Sequence, residues 1–301
     1  MAAYLQRDCP LCGSNGAEAE VSSDRRGEDF PFGELQPYWS GLFREKVFFT
    51  YARCGGCGLL YCPTYFTPGQ LTQLYADMAP NMDLVPSASL SATQSGYWHA
   101  LKRTGVAAGD YLEIGPDIGY IVGHAAASGR FGHFWLFEPN GSVHNALARA
   151  TGGRPHIIST EMNDFSAVPV GSVSVAVMIH VLDHLLDPMA TLRAIRITLK
   201  PGGVLLIVTH NEKSLLCRAT AMRWPPFCLQ HPEIYNPDTI SLMARTAGFS
   251  MVKVERSTNH FPLDFMVHQA AYGLGLKLGK LPLPKLPLGL KLGNIQAIAT
   301  R

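Results

Sequence analysis

The chain has 301 residues, 47% of them apolar and 16% charged, with a formal net charge of +2. That length accommodates one large α/β domain and a small appendage, and the apolar content supplies a full core without covalent staples. The near-neutral charge lacks the basic bias of a dedicated nucleic-acid binder, so a small or medium-sized substrate is expected and nucleic acid is not.

No run of 18 or more apolar residues predicts a membrane span. Residues 1–7 lack the basic-then-apolar pattern of an export signal, so a cytoplasmic location is expected. The seven cysteines are Cys9, Cys12, Cys54, Cys57, Cys62, Cys217 and Cys228. In a reducing compartment they read as ligands or buried thiols rather than disulfides.

Two runs near the N-terminus repeat one pattern, Cys9-Pro-Leu-Cys12-Gly13 and Cys54-Gly-Gly-Cys57-Gly58. Each C-x-x-C-G bends the chain into a knuckle that turns two thiolates toward one ion. Four thiolates suit tetrahedral Zn²⁺, and a closed four-ligand site is structural. One C-x-x-C alone could be a redox pair; two with trailing glycines favour zinc. Strands are expected at 47–51 and 59–61, so 1–70 reads as a zinc-ribbon-like module. Cys62 is near enough to substitute as a ligand but reads as a buried thiol. Cys217 and Cys228 read as core or loop cysteines.

Residues 71–108 carry Leu71, Leu74, Tyr75, Tyr97, Leu101 and Val106, and read as a helical lead-in covering the cleft that follows. From Gly109 apolar strands alternate with helical stretches, the pattern of βαβ units and a mostly parallel sheet. A strand at 111–115 runs into Gly115-Pro-Asp117-Ile-Gly119 and a helix at 120–128. The second strand, 133–137, ends at Glu138, placed to accept hydrogen bonds from a ribose diol. A third strand at 156–159 precedes Asp164-Phe165. The fourth, 174–179, leads into His180-Val-Leu-Asp183-His184-Leu-Leu-Asp187-Pro188 and a helix at 189–199. Lys200-Pro-Gly-Gly203 is expected as a turn before a fifth strand, 204–209. The glycine rhythm is G-x-x-x-G, not the G-x-G-x-x-G of NAD-binding folds.

Leu112-Glu113-Ile-Gly115…Gly119, Glu138, Val181-Leu-Asp183-His184, Lys200-Pro-Gly-Gly203 and Ala247-Gly248-Phe249 resemble, in order, the motifs of class I S-adenosylmethionine-dependent methyltransferases. The likeness covers roughly 109–260, with a closing strand near 294–300. It implies a Rossmann-like α/β fold with a seven-stranded sheet over 109–301, and S-adenosyl-L-methionine as cofactor. By the same resemblance Glu113 and Gly115 line the methionine end, Asp117 and Gly119 complete the turn, Glu138 holds the ribose, and Asp164 and Phe165 lie near the adenine. Asp117 stands where the family commonly has glycine, so the loop must tolerate a side chain facing the cofactor. Ser174 stands where an Asp often begins the fourth strand.

Methyl transfer is an in-line displacement that depends on positioning, and a base is needed only where the acceptor loses a proton. Candidates at the carboxyl ends of the strands are His180, Asp183, His184, His210, Asn211, His231 and Tyr235. Asp183 is expected as a helix cap and His184 as a structural part of the helix start. Gln230-His231-Pro-Glu-Ile-Tyr235 resembles a segment of sugar C-methyltransferases of deoxysugar pathways, where a His-Glu-His run before a Tyr supplies the base. Those enzymes also carry an N-terminal zinc module. Here Leu229 and Gln230 replace the first two residues of that run, and their large C-terminal domain has no expected counterpart in these residues. The catalytic set expected is His231, His180, His210 and Tyr235.

Residues 259–293 read as an insertion before the last strand. Gly273-Leu-Gly-Leu-Lys-Leu-Gly-Lys-Leu-Pro-Leu-Pro-Lys285 has prolines that argue against one long helix. A loop near the acceptor site is expected, with a basic, apolar surface for a lipid-linked substrate as the lesser alternative. The function expected is methylation of a small or carrier-linked acceptor, such as a sugar or natural-product intermediate, in biosynthesis. The alternatives are a zinc-ribbon RNA methyltransferase and a non-catalytic scaffold that keeps the cofactor fold.

Overall fold

Seven strands form the central sheet: β1 Gly109–Ile114, β2 Phe131–Phe137, β3 His156–Ser159, β4 Val173–Ile179, β5 Leu199–His210, β6 Met251–Arg256 and β7 Asn294–Thr300. The computed structural model describes residues 4–39, 46–76, 86–105, 107–264, 266–267 and 287–301. The sheet order is β3-β2-β1-β4-β5-β7-β6. The first five strands run parallel, and β7 lies antiparallel between β5 and β6. The chain reverses direction across the sheet between β1 and β4, which opens a crevice at their carboxyl ends where open α/β sheets bind ligands.

Both faces of the sheet are covered, which explains the nearly unbroken apolar β4 (Val-Ser-Val-Ala-Val-Met-Ile). Side chains alternate between faces with period two. Leu112, Ile114, Ala176, Met178, Leu205 and Ile207 face the helices Pro188–Thr198 and Pro237–Thr246. Tyr111, Val175, Val177, Leu206 and Val208 face Ser87–Lys102 and Tyr120–Ala127. In the central sheet and the helices that flank it, the expected elements appear with ends shifted by a few residues. The exception is Lys200–Gly203. It is not a turn ahead of β5 but a bulge within it: Val173 pairs with Leu199 and Val175 with Val204, so the intervening residues loop outward. Gly202, at φ +75°, permits that.

The N-terminal segment builds a four-stranded sheet whose fourth member comes from far along the chain. Ala17–Val21, Tyr51–Cys54 and Leu60–Tyr61 are joined by Glu233–Ile234, with Glu233 opposite Tyr61 and Ile234 opposite Leu60. The strand expected at 47–51 is divided: Val47–Phe48 pairs with Arg25–Arg26, and Tyr51 opens a separate strand. Cys9, Leu11, Cys54, Leu59 and Tyr61 pack into the same apolar cluster as Tyr235, Ile240 and the β1 and β4 core. A further cluster joins Phe48, Phe49, Tyr51, Tyr65 and Phe66 to Trp224, Phe227 and Leu229. The buried Tyr51 hydroxyl donates to the carbonyl of His231 at 2.7 Å. Aromatic burial of this kind stabilises by roughly 2–3 kcal/mol per ring.

The lead-in forms the helices Pro68–Ala76 and Ser87–Lys102; Val106 lies outside the described residues. The ends of the 259–293 insertion are strands, Asn259–Pro262 paired antiparallel with Pro287–Leu290, rather than loop. Residues 268–286, which hold the Leu/Lys/Gly/Pro stretch, lie outside the described residues. Among the described residues no helix is long and apolar enough to cross a membrane.

Candidate functional site

The turn after β1 can be made only with its two glycines. Gly115 has φ +67°, and a Cβ there would lie 2.6 Å from Val181 Cγ2. Gly119, at φ +83°, precedes the helix Tyr120–Ala127, and a Cβ would lie 2.8 Å from Ala150 Cβ and 2.9 Å from Leu147 Cδ1. Asp117 between them also takes a left-handed conformation, φ +49°, which Asp tolerates better than most residues. Glu138 fastens this turn: Asp117 N donates to Oε2 and Asn140 N to Oε1, each at 2.9 Å. Each carboxylate oxygen keeps a further acceptor position. Burial pushes Glu138 above its ordinary value against the pull of those two amides. Glu113, on β1, is buried and accepts from the Tyr111 hydroxyl at 2.5 Å. Burial, with the charge of Glu138 adding to it, pushes Glu113 up to about 8. Phe165 packs edge-on to Phe137, ring centroids 4.8 Å apart, while Asp164 is exposed and accepts from Ser166 N at 2.9 Å.

Beyond β4 and β5 the histidines converge. His180 follows β4 with φ +51°, a strained conformation for a residue with a Cβ, and its N–H donates to Val208 O at 2.8 Å. His210 ends β5 opposite Asn294, the first residue of β7. The Asn294 side chain bridges the pair: Oδ1 lies 3.0 Å from His210 Nδ1, and Nδ2 lies 3.2 Å from His180 Nε2. The two imidazoles are 4.6 Å apart. His231 lies 4.9 Å from His210 and 4.6 Å from His184, centroid to centroid. His184 Nδ1 is 3.1 Å from the hydroxyl of Tyr75, so the lead-in helix reaches the cluster.

Asp183 is not a helix cap. The helix Pro188–Thr198 is capped by Asp187, whose Oδ1 accepts from Ala190 N at 2.9 Å, because Pro188 sets the first helical position. His184 likewise belongs to the short turn Leu182–His184 ahead of that helix, and not to its start. Asp183 is fully buried; Oδ2 accepts from Thr209 Oγ1 at 2.8 Å and lies 3.9 Å from His210 Nε2. Oδ1 has no partner. Burial disfavours the Asp183 charge, but the surrounding imidazoles, His210 foremost, hold the carboxylate below its ordinary range. Burial drives His184 down to about 3 and lowers His180 and His210. His231 goes the other way. Burial opposes its charge, yet the Cys228 sulfur, 3.3 Å from Nδ1, raises it to about 9. Its Nδ1 lies 2.7 Å from Pro226 O. A carbonyl only accepts, so Nδ1 carries the hydrogen.

Tyr235 stands apart from the imidazoles. It is fully buried with an unpaired hydroxyl, beside the buried Arg7–Glu233 ion pair at 3.1 Å. Asn211 is buried at the end of β5 and accepts from Lys213 N at 3.0 Å. Asn294, Arg7 and Glu233 are missing from the residues singled out by sequence. Glu233 carried a signal, since it lies two positions before Tyr235 in the His231 segment. Asn294 carried none until its register opposite His210 was known.

The four knuckle cysteines gather at one point. Cys9 Sγ lies 3.5 Å from Cys57 Sγ, Cys12 Sγ lies 3.5 Å from Cys54 Sγ, and all four sulfurs are within 4.8 Å of one another. Gly13 and Gly58 take φ +72° and +75°, and their N–H groups close the turns onto Cys9 O and Cys54 O. Cys62 is outside this group, buried with its thiol toward Phe49 O. Cys217 and Cys228 are buried, as core cysteines should be.

Several solved structures are similar to this chain. A SAM-dependent methyltransferase from Thermotoga maritima has 17% identity, with 69% of this chain and 89% of that one covered and a TM-score of 0.47. One from Archaeoglobus fulgidus has 14% identity, coverage of 69% and 94%, and a TM-score of 0.46. One from Mesorhizobium loti has 15% identity, coverage of 68% and 98%, and a TM-score of 0.46. No curated protein matches the chain in sequence. The methyltransferase domain family matches residues 89–254, more than half of the chain and the span that holds β1 to β5, the start of β6 and both glycines of the turn. With that match laid over this sheet order and glycine turn, the chain belongs to the methyltransferase domain family and is an S-adenosylmethionine-dependent methyltransferase.

Proposed function

We propose that this enzyme methylates a small or carrier-linked acceptor, such as a sugar or natural-product intermediate, over the carboxyl ends of β4 and β5. The observation that carries the reading is the convergence of His180, His184, His210 and His231 on Asp183. Val181, one residue beyond His180, packs against the glycine turn. Bound S-adenosylmethionine supplies the methyl group: the acceptor's electron pair forms the new bond to carbon, and the sulfur–carbon bonding pair stays on sulfur.

The chain's own residues bind, orient and move the proton. Gly115, Asp117 and Gly119 bring backbone close to the cofactor, Glu138 takes the ribose hydroxyls, Glu113 faces the cationic methionine end, and Asp164 and Phe165 border the adenine. The absence of room for a Cβ at both glycines and the spare acceptor positions on Glu138 fit this group. His231 takes the acceptor's proton on Nε2, since Nδ1 is committed to Pro226. The Cys228 sulfur raises His231 to about 9, so only the neutral fraction of the ring takes the proton, and turnover is expected to rise with pH toward that value. His180 and His210 position the acceptor, and Tyr235 offers its unpaired hydroxyl from the Arg7–Glu233 side.

Cys9, Cys12, Cys54 and Cys57 hold a structural Zn²⁺ in this reading. Zinc–sulfur bonds of ~2.3 Å in a tetrahedron put sulfurs about 3.8 Å apart, close to the 3.5 Å separations of the two pairs. Residues 1–70 form the zinc module, 71–108 the lead-in over the cleft, and 109–301 the methyltransferase unit. An RNA acceptor finds little support in a net charge of +2.

A screen of acceptors with labelled S-adenosylmethionine, scored by mass spectrometry, tests the acceptor class. His231→Asn should lose at least 100-fold in kcat while calorimetry shows cofactor binding intact. Undiminished turnover removes His231 as the base, and retention on RNA at physiological salt moves the reading to an RNA acceptor.

A further inference from the structure

We propose that His180, Asp183 and His210 form a second metal site, separate from the four cysteines, which holds a divalent first-row cation and, through it, a hydroxyl oxygen of the methyl acceptor. The inference rests on the methyltransferase reading of this cleft and names the acceptor atom that reading leaves open. One donor atom from each residue lies within 4.8 Å of the others. His210 Nε2 and Asp183 Oδ2 are 3.9 Å apart. Ligands about 2.1 Å from one ion stand roughly 3.0–3.4 Å from each other, so small side-chain rotations close the set. Two imidazoles and one carboxylate on one side of an ion leave its other positions open to substrate.

Further observations point to a ligand here. Asp183 is fully buried, yet Oδ1 meets no donor. Thr209 Oγ1 holds the other oxygen, as outer groups hold metal-ligating carboxylates. His180 Nδ1 is also buried without a partner. Asn294 ties up one nitrogen of each ring, His210 Nδ1 and His180 Nε2, and leaves the other nitrogen of each available. The His210 contact, ring N–H to amide oxygen, is the arrangement that orients a histidine ligand. Ligation through His180 Nδ1 moves its hydrogen to Nε2, so the Asn294 NH2 group then turns away from that ring. The strained φ of His180 is confined to the residue that must present a ring to this point.

The chemistry follows from placement. A hydroxyl bound to a divalent cation loses its proton more readily, and the His231 ring is 4.9 Å from that of His210. The hydroxyl proton passes to His231 Nε2, the oxygen electron pair forms the O–CH3 bond, and the S–CH3 bonding pair remains on sulfur as the neutral thioether. The site therefore favours an oxygen acceptor over the carbon acceptor that the His231 segment resembles.

The test counts metal. The full chain is equilibrated with Zn²⁺, freed of excess by gel filtration and analysed by mass spectrometry for zinc per chain. Two ions are expected for the native protein, and one each for His180→Gln and His210→Gln. One ion in the native protein, or two in both variants, overturns the proposal. Zinc-edge X-ray absorption of the native protein needs no variant: a mixed sulfur and nitrogen/oxygen shell is expected, and a pure sulfur shell overturns the site. Calorimetric S-adenosylmethionine binding reports on the cofactor cleft separately. A chain that binds cofactor but only one ion defeats this inference alone, whereas loss of the methyltransferase reading shows in the acceptor screen and leaves the metal count standing.

Discussion

The hydroxyl of Thr209 donates to the carboxylate of Asp183 at 2.8 Å, in a place where both residues are fully buried. This bond joins the turn after β4 to the end of β5 and decides which way the Asp183 carboxylate faces. Thr209→Val keeps the shape and removes the donor. A buried hydrogen bond to a charged group contributes about 1.5–3 kcal/mol, so urea unfolding should show that loss, and Thr209→Ser should recover most of it. A valine variant as stable as the native chain, with the serine variant destabilised, would mean that the methyl packing, not the hydroxyl, is what matters.

Glu113 links protonation to cofactor binding. Its folded pKa, about 8, lies above the ordinary 4.5, so the folded chain holds this proton where the unfolded chain releases it. Stability should therefore decline as pH rises from about 4.5 to about 8, and Glu113→Gln should flatten that slope. A cationic ligand near Glu113 favours its ionised form. Cofactor binding at pH 7 should then release a fraction of a proton approaching one, read by calorimetry in buffers of different ionisation enthalpy. No release in the native chain, or undiminished release from Glu113→Gln, contradicts the placement of Glu113 at the cationic end.

The contact between Gly115 and Val181 makes a paired prediction. Gly115→Ala places a Cβ 2.6 Å from Val181 Cγ2 and forces φ +67° on a residue with a side chain. Strain of about 1–3 kcal/mol is expected, with cofactor affinity reduced at least tenfold. Val181→Ala removes the clashing methyl, so the double variant should regain part of the affinity but not the part that φ costs. Additive losses in a double-mutant cycle would show that the two residues do not press on one another.

The central sheet was largely legible because its signals are local and periodic. His156–Ser159 appears with the ends expected, and β4 announces itself by an apolar run that only a strand covered on both faces needs. The glycine turn was legible because positive φ restricts the residue type. The cap was misplaced because His180–Asp187 holds two aspartates, and only the fixed φ of Pro188 decides between them. The partnership of Asn294 with His180 and His210 depends on the register of β5 against β7, which no local pattern encodes. Glu233–Ile234 is too short for periodicity to be seen, although it completes the N-terminal sheet.

That borrowed strand determines how loss of zinc should propagate. If Cys9, Cys12, Cys54 and Cys57 hold an ion, chelation leaves four close thiols with nothing to draw them together, and the knuckles lose the free energy of metal binding. A self-contained module would then melt alone, at lower temperature than the sheet of β1–β7. Here Cys9, Cys54 and Tyr61 share a core with Tyr235 and Ile240, Glu233 pairs with Tyr61, and Arg7 bonds to Glu233. Opening the knuckles exposes that core and frees the segment that presents His231 and Tyr235. Chelated protein, and Cys54→Ser, should therefore show one cooperative calorimetric transition at reduced Tm, with methyl transfer falling as the metal leaves. Two separated transitions, with cofactor binding kept through the first, would show instead that the N-terminal sheet folds independently of the cleft it borders.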